Sequence, residues 1–204
     1  MTEAVTPSIA DVLAEIERVE RVRICLAVES GSRAWGFPSV DSDYDVRFVY
    51  IHTPEWYLSI EEGRDVIERP LTGLIDASGW DLRKALRLFR KSNPPLLEWL
   101  QSPFVYSEGY GMAAKLRQLL PGYFSPQAGY YHYLHMARGN FREYLRGDLV
   151  WRKKYLYVLR PLLAMRWIES GRGAAPIEFS RLVEATVAEP ELRRAIDDLV
   201  EAKR

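Results

Sequence analysis

The chain has 204 residues, 48% of them hydrophobic, which suffices for a full core in one large domain or two small ones. Lysine plus arginine (28) equals aspartate plus glutamate (28), so the chain is neutral overall, yet acid gathers at 41–45 and in the last helix. A single cysteine excludes an intramolecular disulfide and a thiolate metal cluster. No apolar run approaches the roughly 20 residues of a bilayer span. With no signal peptide visible at the N-terminus, a cytoplasmic protein with no membrane partner is expected.

Residues 8–20, SIADVLAEIERVE, space Ile9, Val12, Leu13 and Ile16 for an amphipathic helix that Ser8 can cap. The apolar, β-branched run 22–29, VRICLAVE, predicts a buried strand ended by Gly31, with Cys25 as a core residue. A brief helix is expected at Arg33–Phe37. A second strand follows over Asp43–Ile51, its Val46, Phe48 and Tyr50 alternating against Asp45, Arg47 and Val49.

On that strand Asp43 and Asp45 would share one face, roughly 6 to 7 Å apart at about 3.3 Å per residue. Two hard oxygen ligands at that separation suit magnesium. The turn at Gly31-Ser32 offers backbone N–H groups and a hydroxyl to phosphate oxygens.

The stretch 53–63 reads as a loop with one helical turn at Glu55–Leu58. Strands at 64–69 and 72–78 follow, and Asp76 is an acid in an otherwise apolar run, a position that demands a cation, a hydrogen-bond partner or solvent. Residues 80–91, WDLRKALRLFRK, predict a helix with a basic outer face and Asp81 in its first turn as a cap. Asn93-Pro94-Pro95 ends it, and a short helix at 96–100 is packed by Trp99.

From Gly109 onward helices are expected at 109–119, 126–146, 151–170, 177–188 and 190–203. A second basic cluster, Arg152-Lys153-Lys154, lies there. So do Tyr130, Tyr131, Tyr133, Tyr144, Tyr155 and Tyr157, either core aromatics or a surface on which bases stack. His132 and His135 have the spacing of a zinc pair but lack a third ligand. There is no GxSxG elbow, P-loop or GxGxxG.

The order Gly31-Ser32, then Ser42-Asp43-Tyr44-Asp45, then Asp76 resembles the DNA polymerase β-type nucleotidyltransferase superfamily. The longer blocks SGSRAWGFPSVDSDYDVRFVY, SGWDLRKAL, KSNPPLLEWL and KKYLYVLRPLLA resemble the predicted RNA-ligase-associated (RlaP-type) or RNA repair pathway nucleotidyltransferases. The resemblance implies an α+β fold. A small mixed-sheet core flanked by helices would occupy 1–107, and a C-terminal helical domain 108–204 would pack on it.

It also implies a two-metal nucleotidyltransferase. Asp43, Asp45 and Asp76 would be the catalytic, metal-binding acids for two Mg2+ ions, with Asp81 the competitor for the third place. Gly31 and Ser32 would bind the nucleotide, and Arg33, Lys84, Lys153, Lys154 and Tyr157 are further candidates. The substrate would be a nucleoside triphosphate, ATP first among them. The acceptor would be an RNA end, with association to an RNA ligase pathway; transfer of AMP to a protein, or nucleotide and RNA binding without turnover, are the alternatives.

Overall fold

A computed structural model describes residues 8–71, 73–147 and 149–204. Ser8 caps α1 (Ile9–Glu20) through a capping box with Asp11. The chain then reverses through Arg21 in a left-handed conformation and enters β1 (Arg23–Glu29). Gly31 opens α2 (Gly31–Trp35), two residues earlier than expected, and Gly36 closes it. After β2 (Tyr44–Ile51) and the single turn α3 (Pro54–Tyr57) come β3 (Val66–Glu68) and β4 (Ile75–Asp81). Thr72, where the second of those strands was expected to begin, lies outside the described residues.

Asp81 is the N-cap of α4 (Leu82–Arg90), its carboxylate accepting from the Arg83 amide. Asn93 caps α5 (Pro94–Trp99) in the same way. Next is β5 (Val105–Glu108), an edge strand that periodicity does not reveal because three of its four residues are exposed. Five helices complete the chain: α6 (Met112–Tyr123), α7 (Pro126–Tyr144), α8 (Arg152–Glu169), α9 (Phe179–Thr186) and α10 (Pro190–Glu201).

The strands form one mixed sheet in the order β3-β4-β2-β1-β5, all neighbours antiparallel except β2 and β4. Alternation assigns its faces. Val46, Phe48 and Tyr50 pack with Leu13 and Ile16 of α1, while Leu26, Val28 and Val49 pack with α4, α5 and α6. A third cluster joins α7 to α10 around Phe37, the residue just past α2. The architecture is thus the expected α+β one, a small mixed sheet flanked by helices and followed by C-terminal helices.

A buried polar knot ties the helices to the sheet half. The Arg160 guanidinium on α8, 3% exposed, donates to Glu98 Oε1 of α5 at 2.9 Å, and the Tyr133 hydroxyl of α7 donates to the same oxygen at 2.8 Å. Truncating one member strands a buried charge. Glu98→Ala should therefore lower the unfolding free energy by about 3–5 kcal/mol, read by chemical denaturation.

His52 stacks on Trp56 at 4.0 Å, and among the described residues its buried Nε2 has no hydrogen-bond partner. Burial holds its pKa below the ordinary value, and burial does the same to His132. The unfolded chain therefore binds protons more readily than the folded one near and below pH 6.5. Thermal stability should fall as pH drops from about 7.5 to about 5.5, and a His52→Gln, His132→Gln double variant should show a shallower fall.

Candidate active site

The parallel pairing of β2 and β4 sets Asp45 directly opposite Asp76. Further along the same face Val49 sits opposite Trp80, and both are packed against α4 and α5. One continuous face is thus apolar where helices cover it and acidic where it emerges. Arg47, two residues beyond Asp45, joins the acids: its Nη2 donates to Asp45 Oδ1 at 2.9 Å and to Asp76 Oδ2 at 2.8 Å. Its Nη1 donates to the Asp76 and Val46 carbonyls at 2.9 and 3.2 Å.

Asp43 precedes β2 rather than lying on it. Its carboxylate is exposed, and among the described residues it has no hydrogen-bond or ion-pair partner. Its charge nonetheless reaches Asp45: burial pushes the Asp45 carboxyl up, Asp76 and Asp43 push the same way, and Arg47 opposes them.

The Gly31 turn packs on Asp45. The Ser30 amide donates to the Asp45 carbonyl at 2.8 Å, Gly31 has φ +58°, and a β-carbon there would meet Asp45 Oδ2 at 1.9 Å. Only glycine permits that approach. The Ser32 hydroxyl lies 3.3 Å from Ser42 Oγ, so the turn also touches the segment leading into Asp43. Arg33 braces that segment from its other side. Its Nη2 donates to Ser42 O at 2.7 Å and its Nε to Asp43 O at 3.2 Å, with the guanidinium 3.9 Å over the Tyr44 ring.

Glu29, 1% exposed at the end of β1, supports the acids from beneath. Its Oε1 accepts the Asp45 amide at 3.0 Å, and its Oε2 accepts a short hydrogen bond from the Tyr106 hydroxyl of β5. Burial raises the Glu29 pKa while these two donors hold it down. Its signal in the sequence is a lone acid closing an apolar strand. Its partner on an unrecognised edge strand gives none.

The helical half reaches the same place through α8 and the residues just past α10. The Tyr157 ring meets Trp35 of α2 edge-on at 5.9 Å, and the Asp45 charge helps burial raise its pKa. Lys154 Nζ sits 3.3 Å over Tyr144 and 5.2 Å from the Tyr157 ring. Lys153 lines a cavity of about 590 Å3 with Ser39, Asp41, Trp151 and Lys203. The Lys203 ammonium, a residue without a sequence signal, donates to Phe37 O at 2.7 Å and lies 3.4 Å from both Ser39 Oγ and Ser42 Oγ. Burial, Lys153 and Arg33 lower its pKa, against Asp41.

Two candidates fall elsewhere. Asp81 pairs with Tyr50, five residues along the ladder from the Asp45–Asp76 pair, which is about 16 Å at 3.3 Å per residue. It is fully buried, accepting from the Tyr57 hydroxyl at 2.6 Å as well as capping α4, so it has no path to the other acids. Lys84 follows it onto α4 and pairs with Asp65 at 3.0 Å. Lys84 is therefore not among the residues brought together here.

Three acids with an electropositive counterpart between two of them have the hard-oxygen chemistry that Mg2+ takes, and the Arg47 guanidinium marks a cation position bridging Asp45 and Asp76. Among the described residues no three His, Cys, Asp or Glu side chains cage an ion by themselves. Mg2+ characteristically uses one or two carboxylates together with water and substrate phosphates, so the donor set suits it.

The family match supplies the class, a polymerase β-like nucleotidyltransferase. The chain belongs to the RlaP family, the RNA repair pathway DNA polymerase beta family, which it matches over residues 5–204. It is 57% identical over 196 residues to the uncharacterized protein YcgL of Bacillus subtilis (strain 168), an alignment covering 96% of this chain and 75% of that protein. A solved nucleotidyltransferase-like protein from Exiguobacterium sibiricum 255-15 is similar at 15% identity with a TM-score of 0.36, over 94% of this chain and 73% of that one. Among the described residues no helix is long and apolar enough to cross a membrane.

Proposed function

We propose that the protein is a Mg2+-dependent nucleotidyltransferase that moves a nucleoside monophosphate from a nucleoside triphosphate, ATP first among them, to a hydroxyl at an RNA end. The observation that carries this is the opposition of Asp45 and Asp76 across the parallel ladder, with the Gly31 turn packed on Asp45. The family's RNA repair description supports RNA as acceptor and an RNA ligase pathway as setting.

Two Mg2+ ions, when bound, would supply the positive charge that stabilises an in-line displacement at the α-phosphate. Asp43 and Asp45 would hold them, with Asp76 completing the set. Asp76 also takes the proton of the acceptor hydroxyl as its oxygen bonds to the α-phosphorus and the bond to pyrophosphate breaks. Ser32 faces the departing pyrophosphate. Lys153 and Lys203 give the phosphate chain a cationic border, and Tyr157 with Lys154 walls the helical side of the site.

Incubation with Mg2+, α-labelled ATP and an RNA bearing free terminal hydroxyls should label the RNA, whereas an identical RNA with blocked hydroxyls should stay unlabelled. Label on a protein instead supports AMP transfer to a protein partner. Nucleotide binding with no label on either contradicts an enzymatic role.

A further inference from the structure

We propose that Arg47 is a built-in counter-cation that a divalent ion must displace, so that metal and nucleotide enter the site cooperatively. The inference rests on the reading of Asp45 and Asp76 as metal ligands. It starts from the oxygens of Asp45. Oδ2 lies against the Gly31 turn, where an added β-carbon would come within 1.9 Å of it, and Oδ1 receives Arg47 Nη2 at 2.9 Å. The opposing Asp76 Oδ2 receives the same nitrogen at 2.8 Å. The oxygens that converge across the ladder are therefore both directed at one guanidinium.

An Mg2+ ligand oxygen must offer a lone pair at about 2.0–2.1 Å, and a dication there faces the Arg47 charge at close range. Metal and guanidinium cannot both occupy the space between the two carboxylates. Two backbone carbonyls, Val46 and Asp76, hold the other nitrogen of the fork, so Arg47 is anchored by main chain as well as by acids. Without a new anion, leaving the acids exposes a guanidinium with half its bonds unmade, and bare metal is taken up weakly.

A triphosphate changes that balance. It brings the metal and an anion to receive the released guanidinium, whose planar fork matches phosphate oxygens. Arg47 is thus a positioning residue: it keeps two like charges together before substrate arrives, then exchanges carboxylates for phosphate.

The test is Mn2+ binding, read by the EPR signal of free ion, with and without a non-hydrolysable ATP analogue. After subtraction of the Mn2+ that the analogue binds in a protein-free control, wild-type protein should bind Mn2+ about tenfold or more tightly with the analogue. Arg47→Gln should bind Mn2+ alone about tenfold more tightly than wild type and gain less from the analogue. Equal or weaker binding of Mn2+ alone by Arg47→Gln overturns the proposal and makes Arg47 a permanent strut.

Should Arg47→Gln not fold, the guanidinium 15N signals of wild-type protein serve in its place. One signal, identified by its loss in Arg47→Lys, should move when Mg2+ and analogue are added together; a signal that stays put overturns the exchange. With the Mn2+ held by the analogue alone subtracted by a protein-free control, absence of protein-dependent Mn2+ binding in every sample overturns the nucleotidyltransferase reading along with this one.

Discussion

Asp76→Asn is expected to remain folded and still bind nucleoside triphosphate, and to transfer its monophosphate about 10²- to 10⁴-fold more slowly. The asparagine keeps the size and the ladder position of Asp76, and the Asp76 carbonyl still accepts Arg47 Nη1, so β4 should hold its register. What is lost is an acceptor for the incoming hydroxyl's proton and one anionic oxygen at the site. Nucleotide binding by calorimetry, set beside single-turnover transfer, separates those roles from folding. A variant that transfers at the wild-type rate would remove Asp76 from the chemistry, and Asp81 cannot replace it from the far end of the strand.

Gly31→Ala should cost at least about 10²-fold in transfer rate with the protein still folded. The added methyl must push the Asp45 side chain away, because the turn itself is held by the Ser30 amide on the Asp45 carbonyl. Gly36→Ala is the control. Gly36 also has a positive φ, +95°, but nothing lies within 4 Å of the place its β-carbon would take. Both substitutions should lose roughly 1–2 kcal/mol of stability from backbone strain. Only Gly31→Ala should lose activity, so comparing the two separates displacement of Asp45 from strain in the α2 turn.

Much of this arrangement could be read from local pattern. The Ser8 cap, the alternation of Val46, Phe48 and Tyr50, the Asp81 cap and the Asn93-Pro94-Pro95 break act within a few residues of themselves, and each reappears in the fold. The contacts that complete the site are long-range. Arg47 meets Asp76 across 29 residues, Glu29 meets Tyr106 across 77, and Lys203 meets Phe37 across 166.

No periodicity encodes such pairs. A strand DVRF places Arg47 on the acidic face without revealing that a parallel neighbour sets a second carboxylate against it. Lys84 shows the converse: a lysine in a basic helix looks available for phosphate until tertiary structure brings Asp65 to it. Arg33, also read as a phosphate ligand, turns its guanidinium to the carbonyls of Ser42 and Asp43, a role that only the fold of that segment defines.

The most direct test of the whole account is release of pyrophosphate coupled to transfer of α-labelled monophosphate, measured in parallel for wild type and Asp45→Ala at saturating Mg2+. Wild-type protein should release one pyrophosphate per label transferred, with both signals lost in Asp45→Ala. Transfer that survives Asp45→Ala would contradict the assignment of this acidic edge as the active site.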